Sequence, residues 1–386
     1  MIINGWEVQT FLLYITLAIL ISYLAKLSIV AKNENQNITI GKLNIKVKYM
    51  YYFAIYLIFI IFSVFRVIND NMGGTDSLTY IKHFNEMKYV KFFTLSNLKF
   101  NDFEYFYYNL MYLVKILGGN FHCFEFIIYS LIITSYLYII DKEFDNSKTS
   151  WFIVLFFIPL LKSLNITRNC FAAAIGFVAI NKLKDNKMLT AILIMIVAYL
   201  SHYIAIILLM FLLFYKYFPE KYVNKKSALL LPIIIFFISE LGLPIIKFLM
   251  KNSGFANYLN RIQISLWGYI PIIIMYLLIF LDDDFCKYIM KKKHYIYYKT
   301  QLFMMCFLPP AILINVAYRL MLFFEIPKYI IYADLYLYYR ENKIKNKKIF
   351  DLIIIFLLIG WLAFKIYRLN NSSGLVIYRN YLFGGK

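Results

Sequence analysis

Long apolar runs alternate with short polar breaks along almost the whole chain. A helix needs about 20 mainly apolar residues to cross a hydrocarbon core of about 30 Å. By that measure, crossings are predicted near 10–30, 49–68, 121–140, 228–246, 265–281, 300–317, 318–339 and 349–368. The block 150–218 reads either as four short crossings, 150–165, 168–183, 187–201 and 202–218, or as fewer longer ones; four brings the total to about twelve. The first run has no basic segment before it and no small-residue cleavage pattern after it, so it reads as a retained crossing. The expected fold is all-α, a polytopic membrane helical bundle forming one domain over 1–386. Residues 69–120 are expected to form an outer-face loop, with an amphipathic helix at 103–117, "FEYFYYNLMYLVKIL", lying along the interface.

Composition agrees with this class. Of the 386 residues, 62% are apolar and the mean hydropathy is +0.65, whereas a soluble domain is about half apolar. The formal charge of +20 does not point to nucleic acid, because the basic residues punctuate apolar runs instead of lining one face of a soluble fold. They do set an orientation, since cytoplasmic loops are enriched in Lys and Arg. The basic loops are 42–48, 181–187, 216–226, 287–299 and 340–348. Placing all five inside puts both termini outside and requires 103–117 not to cross. The four cysteines form no C-x-x-C pair and sit in or beside apolar runs, as small core residues do.

The same threading collects the polar outliers on the outer face. Arg66 and Arg319 stand at the ends of crossings, where arginine ordinarily snorkels or anchors. Arg168 lies in the polar break "NITRN", ahead of the small-residue stretch "AAAIG" that favours close helix packing, and reads as either structural or functional. His202, in "VAYLSHYIAIILL", is either a hydrogen-bonded packing residue or a functional group. No His, Cys or carboxylate follows it at helical spacing, so no metal site is expected. In "NDNMGGTDSLTYIKHF", Gly73 and Gly74 permit a turn with positive φ, and Thr75 or Asp76 is expected to cap the following helix by accepting a backbone N–H. Asp102 and Glu104 open the 103–117 helix, where carboxylates suit its dipole. "LDDDF" at 281–285 heads the most basic loop and reads as solvated.

Five local patterns occur in order. They are Arg66 followed by "GTDSLTY", Glu104 opening "FEYFYYNLMYLVKILG", "RNCFA" at Arg168, "LSHYIAI" at His202, and "YRLMLFF" at Arg319. Together they resemble the EpsG-like branch of the bacterial O-antigen and exopolysaccharide polymerases, the Wzy group, although the interval between Arg66 and Gly74 is longer than in that pattern. The resemblance implies a glycosyltransferase that joins oligosaccharide repeat units carried on undecaprenyl diphosphate, at the outer face of the bacterial cytoplasmic membrane. Under it, Arg66, Arg168 and Arg319, with Thr75, are expected on the substrate-binding side, gripping the diphosphate. Asp76 or His202 is expected to take the attacking hydroxyl's proton, and Glu104 to orient a sugar hydroxyl.

No cofactor is implied. The expected partners are the lipid-linked oligosaccharide, membrane lipids and a chain-length regulator protein. Two rival readings remain. A flippase for the same lipids predicts internal repeats and polar residues at the bilayer midplane, neither of which is legible. Another polyprenyl-phosphate-dependent membrane glycosyltransferase needs the same residue types.

Overall fold

A computed structural model describes residues 5–40, 43–69, 72–87, 104–249, 269–313, 317–373 and 378–383. The chain is a bundle of helices. Five are long and apolar enough to cross a membrane among the described residues: Val8–Asn33, Val47–Val64, Phe121–Glu143, Lys225–Ile245 and Lys347–Arg368. The block that was ambiguous in sequence resolves into separate elements: Thr149–Ser163, Thr167–Lys184, Met188–Ser201 and Tyr203–Tyr217. Its short helices are divided at Asn165, Asn186 and His202, where the chain turns.

Polarity is distributed inside out. The helices Lys225–Leu249 and Lys347–Ser373 expose large apolar side chains, with Leu241 75% and Phe356 79% accessible. By contrast Tyr295–Met305 and Glu325–Asn342 are almost wholly buried although they carry Lys, Glu, Gln and Arg. Apolar side chains therefore face outward and polar ones are enclosed, which is the arrangement a hydrocarbon solvent selects.

The fold is all-α as expected, apart from a small antiparallel hairpin, Asn37–Ile40 with Leu43–Lys46, that pairs Ile38 with Ile45. One expectation is corrected. The crossing read at 300–317 is broken. Tyr295–Met305 ends in a turn, and a short helix Leu308–Leu313 restarts at Pro309 and Pro310, since two prolines remove backbone donors and are tolerated only in a first turn. Residues 314–316, 88–103 (with Asp102) and 250–268 lie outside the described residues. The segment at 103–117 is helical over Tyr105–Ile116, about 18 Å long at 1.5 Å per residue and too short to cross.

Ion pairs define one end of the bundle. Asp145 pairs with Lys32 at 2.9 Å and Lys293 at 2.7 Å, Asp141 with Lys48 at 2.7 Å, and Asp351 with Arg340 at 2.7 Å. Beneath them, Glu143 contacts Lys184, and His294 lies 3.0 Å from Glu143 and 2.6 Å from Asp334. "LDDDF" belongs to this end as well: Asp282 accepts from the N–H groups of Asp284 and Phe285, both at 3.0 Å, and from the Tyr339 hydroxyl at 2.7 Å. It is a helix cap. The predicted basic loops thus gather at one end, called here the basic end.

Candidate active site at the end opposite the basic loops

The opposite end is organised around Arg66. It follows the helix Val47–Val64 and is 1% exposed. Its Nε donates to the Gly73 carbonyl at 3.0 Å, and Nη1 donates to the Ser63 carbonyl. Nη2 donates to Ser77 Oγ at 3.1 Å and the Leu164 carbonyl at 3.2 Å, and pairs with Glu125 at 2.9 Å. The guanidinium also lies over the Tyr129 ring at 5.3 Å. Five segments of chain meet on this one side chain. These contacts make it a structural hub.

The double glycine docks the turn beside it. Gly73 and Gly74 have φ of 80° and 102°, and a Cβ on Gly74 would run into the Leu164 carbonyl oxygen and lie 3.0 Å from Asn165 Cα. Only glycine combines that backbone with that approach. The helix Thr75–Glu86 then begins with Gly74 at its N-cap. Neither Thr75 nor Asp76 caps it. Asn165, from the break between Phe157–Ser163 and Thr167–Lys184, accepts the Asp76 N–H at 2.9 Å and the Thr75 hydroxyl at 3.2 Å. At the far end of the helix, Lys115 of Tyr105–Ile116 donates to the carbonyls of Phe84, Asn85 and Met87 at 2.8–2.9 Å. Ser77, Tyr80 and Phe84 face inward at helical spacing, and Tyr80 packs on Tyr107 at 5.9 Å.

This scaffold brings five of the predicted residues together. Glu104, the N-cap residue of Tyr105–Ile116, makes no cap bond with its side chain. One carboxylate oxygen pairs with Arg168 at 2.8 Å and the other contacts His202 Nδ1. Arg168 stands in the first turn of Thr167–Lys184 with its guanidinium over Tyr80 at 5.5 Å. His202 ends Met188–Ser201 in an extended conformation, and its Nε2 is buried with no hydrogen-bond partner among the described residues. Asp76 is half-buried and within electrostatic reach of Arg319 and Arg168. Arg319 sits on the short helix Tyr318–Met321, which packs against the turn Tyr203–Ala205 after His202. Thr75 lies exposed at the rim, engaged with Asn165.

The two carboxylates differ electrostatically. Burial pushes Asp76 above the ordinary carboxylate range, and the attraction of Arg319 and Arg168 only partly opposes it. Burial also penalises the charge on Glu104, but the hydrogen bond and charge of His202, and then Arg168, outweigh it and hold the carboxyl low. When the imidazole is neutral, an ionised Glu104 accepting from Nδ1–H leaves Nε2 as its open acceptor.

Several residues that build the site were not singled out in the sequence. Asn165 lies in the polar break that drew attention to Arg168, and the docking partner of the double glycine was not foreseeable from spacing. Glu125, an isolated carboxylate in the apolar run of Phe121–Glu143, was legible as a buried charge seeking a cation.

Fold and site together define a multi-pass helical membrane protein with an Arg–Glu–His chain, a second arginine and an aspartate at the end opposite its basic loops. A family model, the EpsG family, matches residues 49–380. The chain belongs to the EpsG family, associated with polymerase-type membrane proteins of exopolysaccharide and O-antigen synthesis. No curated protein and no solved structure matches it.

Proposed function

We propose that this protein polymerises oligosaccharide repeat units linked to undecaprenyl diphosphate at the outer face of the bacterial cytoplasmic membrane. The observation that carries the reading is the Arg168–Glu104–His202 chain facing Asp76 and Arg319, at the end opposite the basic loops, in a member of the EpsG family. With the basic loops cytoplasmic, about twelve crossings put this site and both termini outside. A chain-length regulator would act from the same side.

In the proposed reaction, a sugar hydroxyl of one lipid-linked unit attacks the anomeric carbon of another. The new C–O bond forms as the bond from that carbon to the diphosphate oxygen breaks, with its electron pair leaving on the diphosphate. His202 Nε2 takes the hydroxyl proton while Glu104 holds the ring through Nδ1–H. Arg168 and Arg319 donate to the departing diphosphate and stabilise its growing charge, a task suited to a planar cation that does not deprotonate. Asp76 orients the acceptor sugar and balances the two arginines. Glu104 is thus proposed as the group that orients the base, not the sugar.

The test is complementation of a deletion strain with wild type, Arg168→Ala, His202→Ala and Asp76→Ala at matched membrane levels, followed by gel analysis of surface polysaccharide. Wild type restores a ladder and the variants leave single repeat units. Identical ladders from all four would end the proposal.

A further inference from the structure

At the basic end, the helices Gly5–Asn33 and Lys347–Ser373 pack against each other and against the short helix Thr149–Phe156. Where they meet there is a cavity of about 230 Å³. Lys26 and Trp151 line it, with the Lys26 ammonium 5.6 Å from the centre of the indole ring. That cation–π contact is the one partner Lys26 has among the described residues. Lys148 also lines the cavity, and its ammonium lies 3.7 Å from Glu341. Glu341 is already held by Arg340 at 2.5 Å and Lys347 at 2.6 Å, so Lys148 can leave this exposed contact at little cost. The Ser147 hydroxyl, next in the lining, makes no hydrogen bond among the described residues.

The carboxylate in the lining is engaged elsewhere. Asp351 Oδ1 accepts from Arg340 Nε and from the Tyr336 hydroxyl, both at 2.7 Å, and Oδ2 accepts from Arg340 Nη2 at 3.1 Å. A two-point pair of this kind matches its charge to the guanidinium, and the two lysines are left to face an anion from outside the chain. The level of the cavity narrows the choice. Lys26 stands six residues before Lys32, about 9 Å along the helix, and Lys32 joins the ion pairs of the basic end through Asp145. The cavity thus lies just inside those pairs, where lysine snorkels and tryptophan sits at a bilayer interface. Its flanks are apolar and outward-facing: Tyr23 on the helix of Lys26 is exposed, as are Leu352 and Ile353 beside Ile354, which lines the cavity. A ligand that satisfies both features has an anionic head and an apolar body. The volume is below the about 300–1,000 Å³ of pockets for drug-sized ligands, which suits a headgroup and not an oligosaccharide.

We propose that this cavity binds the phosphate of an anionic glycerophospholipid from the cytoplasmic leaflet. Lys26 and Lys148 meet the phosphate, Ser147 donates to one of its oxygens, and the acyl chains lie on the apolar flanks. Basic pockets between crossing helices on the cytoplasmic side hold such headgroups in other membrane proteins, and that leaflet carries anionic lipid. The inference is independent of the polymerase reading. Because Lys26 belongs to the first crossing and Ile354 to the last, a bound lipid ties the two together and stabilises the folded bundle.

The full-length protein, purified in neutral detergent, is titrated separately with phosphatidylglycerol, phosphatidylcholine and glycerol 3-phosphate. Native mass spectrometry counts the bound molecules, and thermal midpoints are recorded with and without each. One phosphatidylglycerol binds in preference to phosphatidylcholine and raises the midpoint. Lys26→Met weakens that binding about tenfold or more, the worth of one charge-assisted hydrogen bond, and Lys26→Arg keeps it. Lys148→Met, at an exposed position that does not threaten folding, weakens it about threefold, as loss of an exposed charge does. Midpoints without ligand report the folding of each variant. Equal phosphatidylglycerol affinity in wild type and both methionine variants, or phosphatidylcholine bound as tightly, overturns the proposal. Glycerol 3-phosphate bound as tightly as phosphatidylglycerol, and lost in the same variants, supports the phosphate contacts and overturns the lipid as their source.

Discussion

Glu104→Gln is the sharpest perturbation of the site, since it keeps the shape and removes the charge. Glu104 serves two neighbours at once, Arg168 at 2.8 Å and His202 through the other oxygen, and its side chain is 6% exposed. A glutamine has one acceptor oxygen, and its NH2 turns a donor toward whichever neighbour it no longer serves. If the oxygen stays on Arg168, the NH2 favours the His202 tautomer that accepts at Nδ1. The proton then sits on Nε2, the atom proposed to receive the hydroxyl proton. A misplaced tautomer in an oriented imidazole base costs about a thousandfold or more in rate, or about 4 kcal/mol of barrier. The stability cost is smaller. Leaving one member of a fully buried pair unpaired costs about 3–5 kcal/mol, but Arg168 is 20% exposed and keeps Tyr80 beneath it, so about 1–3 kcal/mol is expected. The assay is the initial rate of ladder extension in isolated membranes, with thermal unfolding of the purified variant alongside. A double variant with His202→Ala is no slower than His202→Ala alone, because both act on one group. Extension by Glu104→Gln within threefold of wild type, or rate losses that multiply in the double variant, would refute the orienting role.

Four further outcomes follow from the geometry. Arg66→Ala lowers stability by about 3–5 kcal/mol by stranding Glu125, and a melting midpoint within 2 °C of wild type would contradict the hub. Gly74→Ala costs about 2 kcal/mol or more from its positive φ and the Leu164 carbonyl, read as faster amide exchange over 75–86; unchanged exchange would sink the docking account. Asn165→Ala removes a cap supplied from another segment and costs about 1 kcal/mol, while Asn165→Asp retains most of it; equal losses in the two would deny the cap. At the basic end, burial pulls His294 down, but Asp334 and then Glu143 prevail and raise it to about 9. Its contribution is full below its unfolded value of about 6.5 and is lost as pH rises through about 9. Wild type is thus expected to lose stability over that window and His294→Gln to show a flatter profile, with parallel denaturation curves counting against it.

Much of the architecture was legible because a hydrocarbon solvent writes a simple code. Apolar runs of membrane length and loops rich in lysine predict helix positions and a common end for the loops, and among the described residues helices occur at those positions apart from the break in 300–317. The short block 150–218 read correctly as four elements because polar residues at Asn165, Asn186 and His202 interrupt it. The candidate residues were legible as polar interruptions near one face, but their roles were not. Arg66 is enclosed by Gly73, Ser77, Leu164 and Glu125, contacts that spacing did not reveal. Thr75 and Asp76 looked like caps, yet the cap comes from Asn165, about 90 positions away. Lys162 and Lys328 both approach Glu325, a meeting of two helices that spacing along the chain does not reveal.

By itself the sequence determined the solvent, the class of fold, the end at which the loops collect and the set of residues able to do chemistry. These depend on composition and local periodicity, which neighbouring residues set among themselves. Only the tertiary structure decided which charges meet. Glu104 turns to Arg168 and His202, and Arg66 turns inward to Glu125. In an enclosed, low-dielectric interior each ionised group must be satisfied by whatever packing brings within a few ångströms, and long-range packing is what a one-dimensional pattern does not contain.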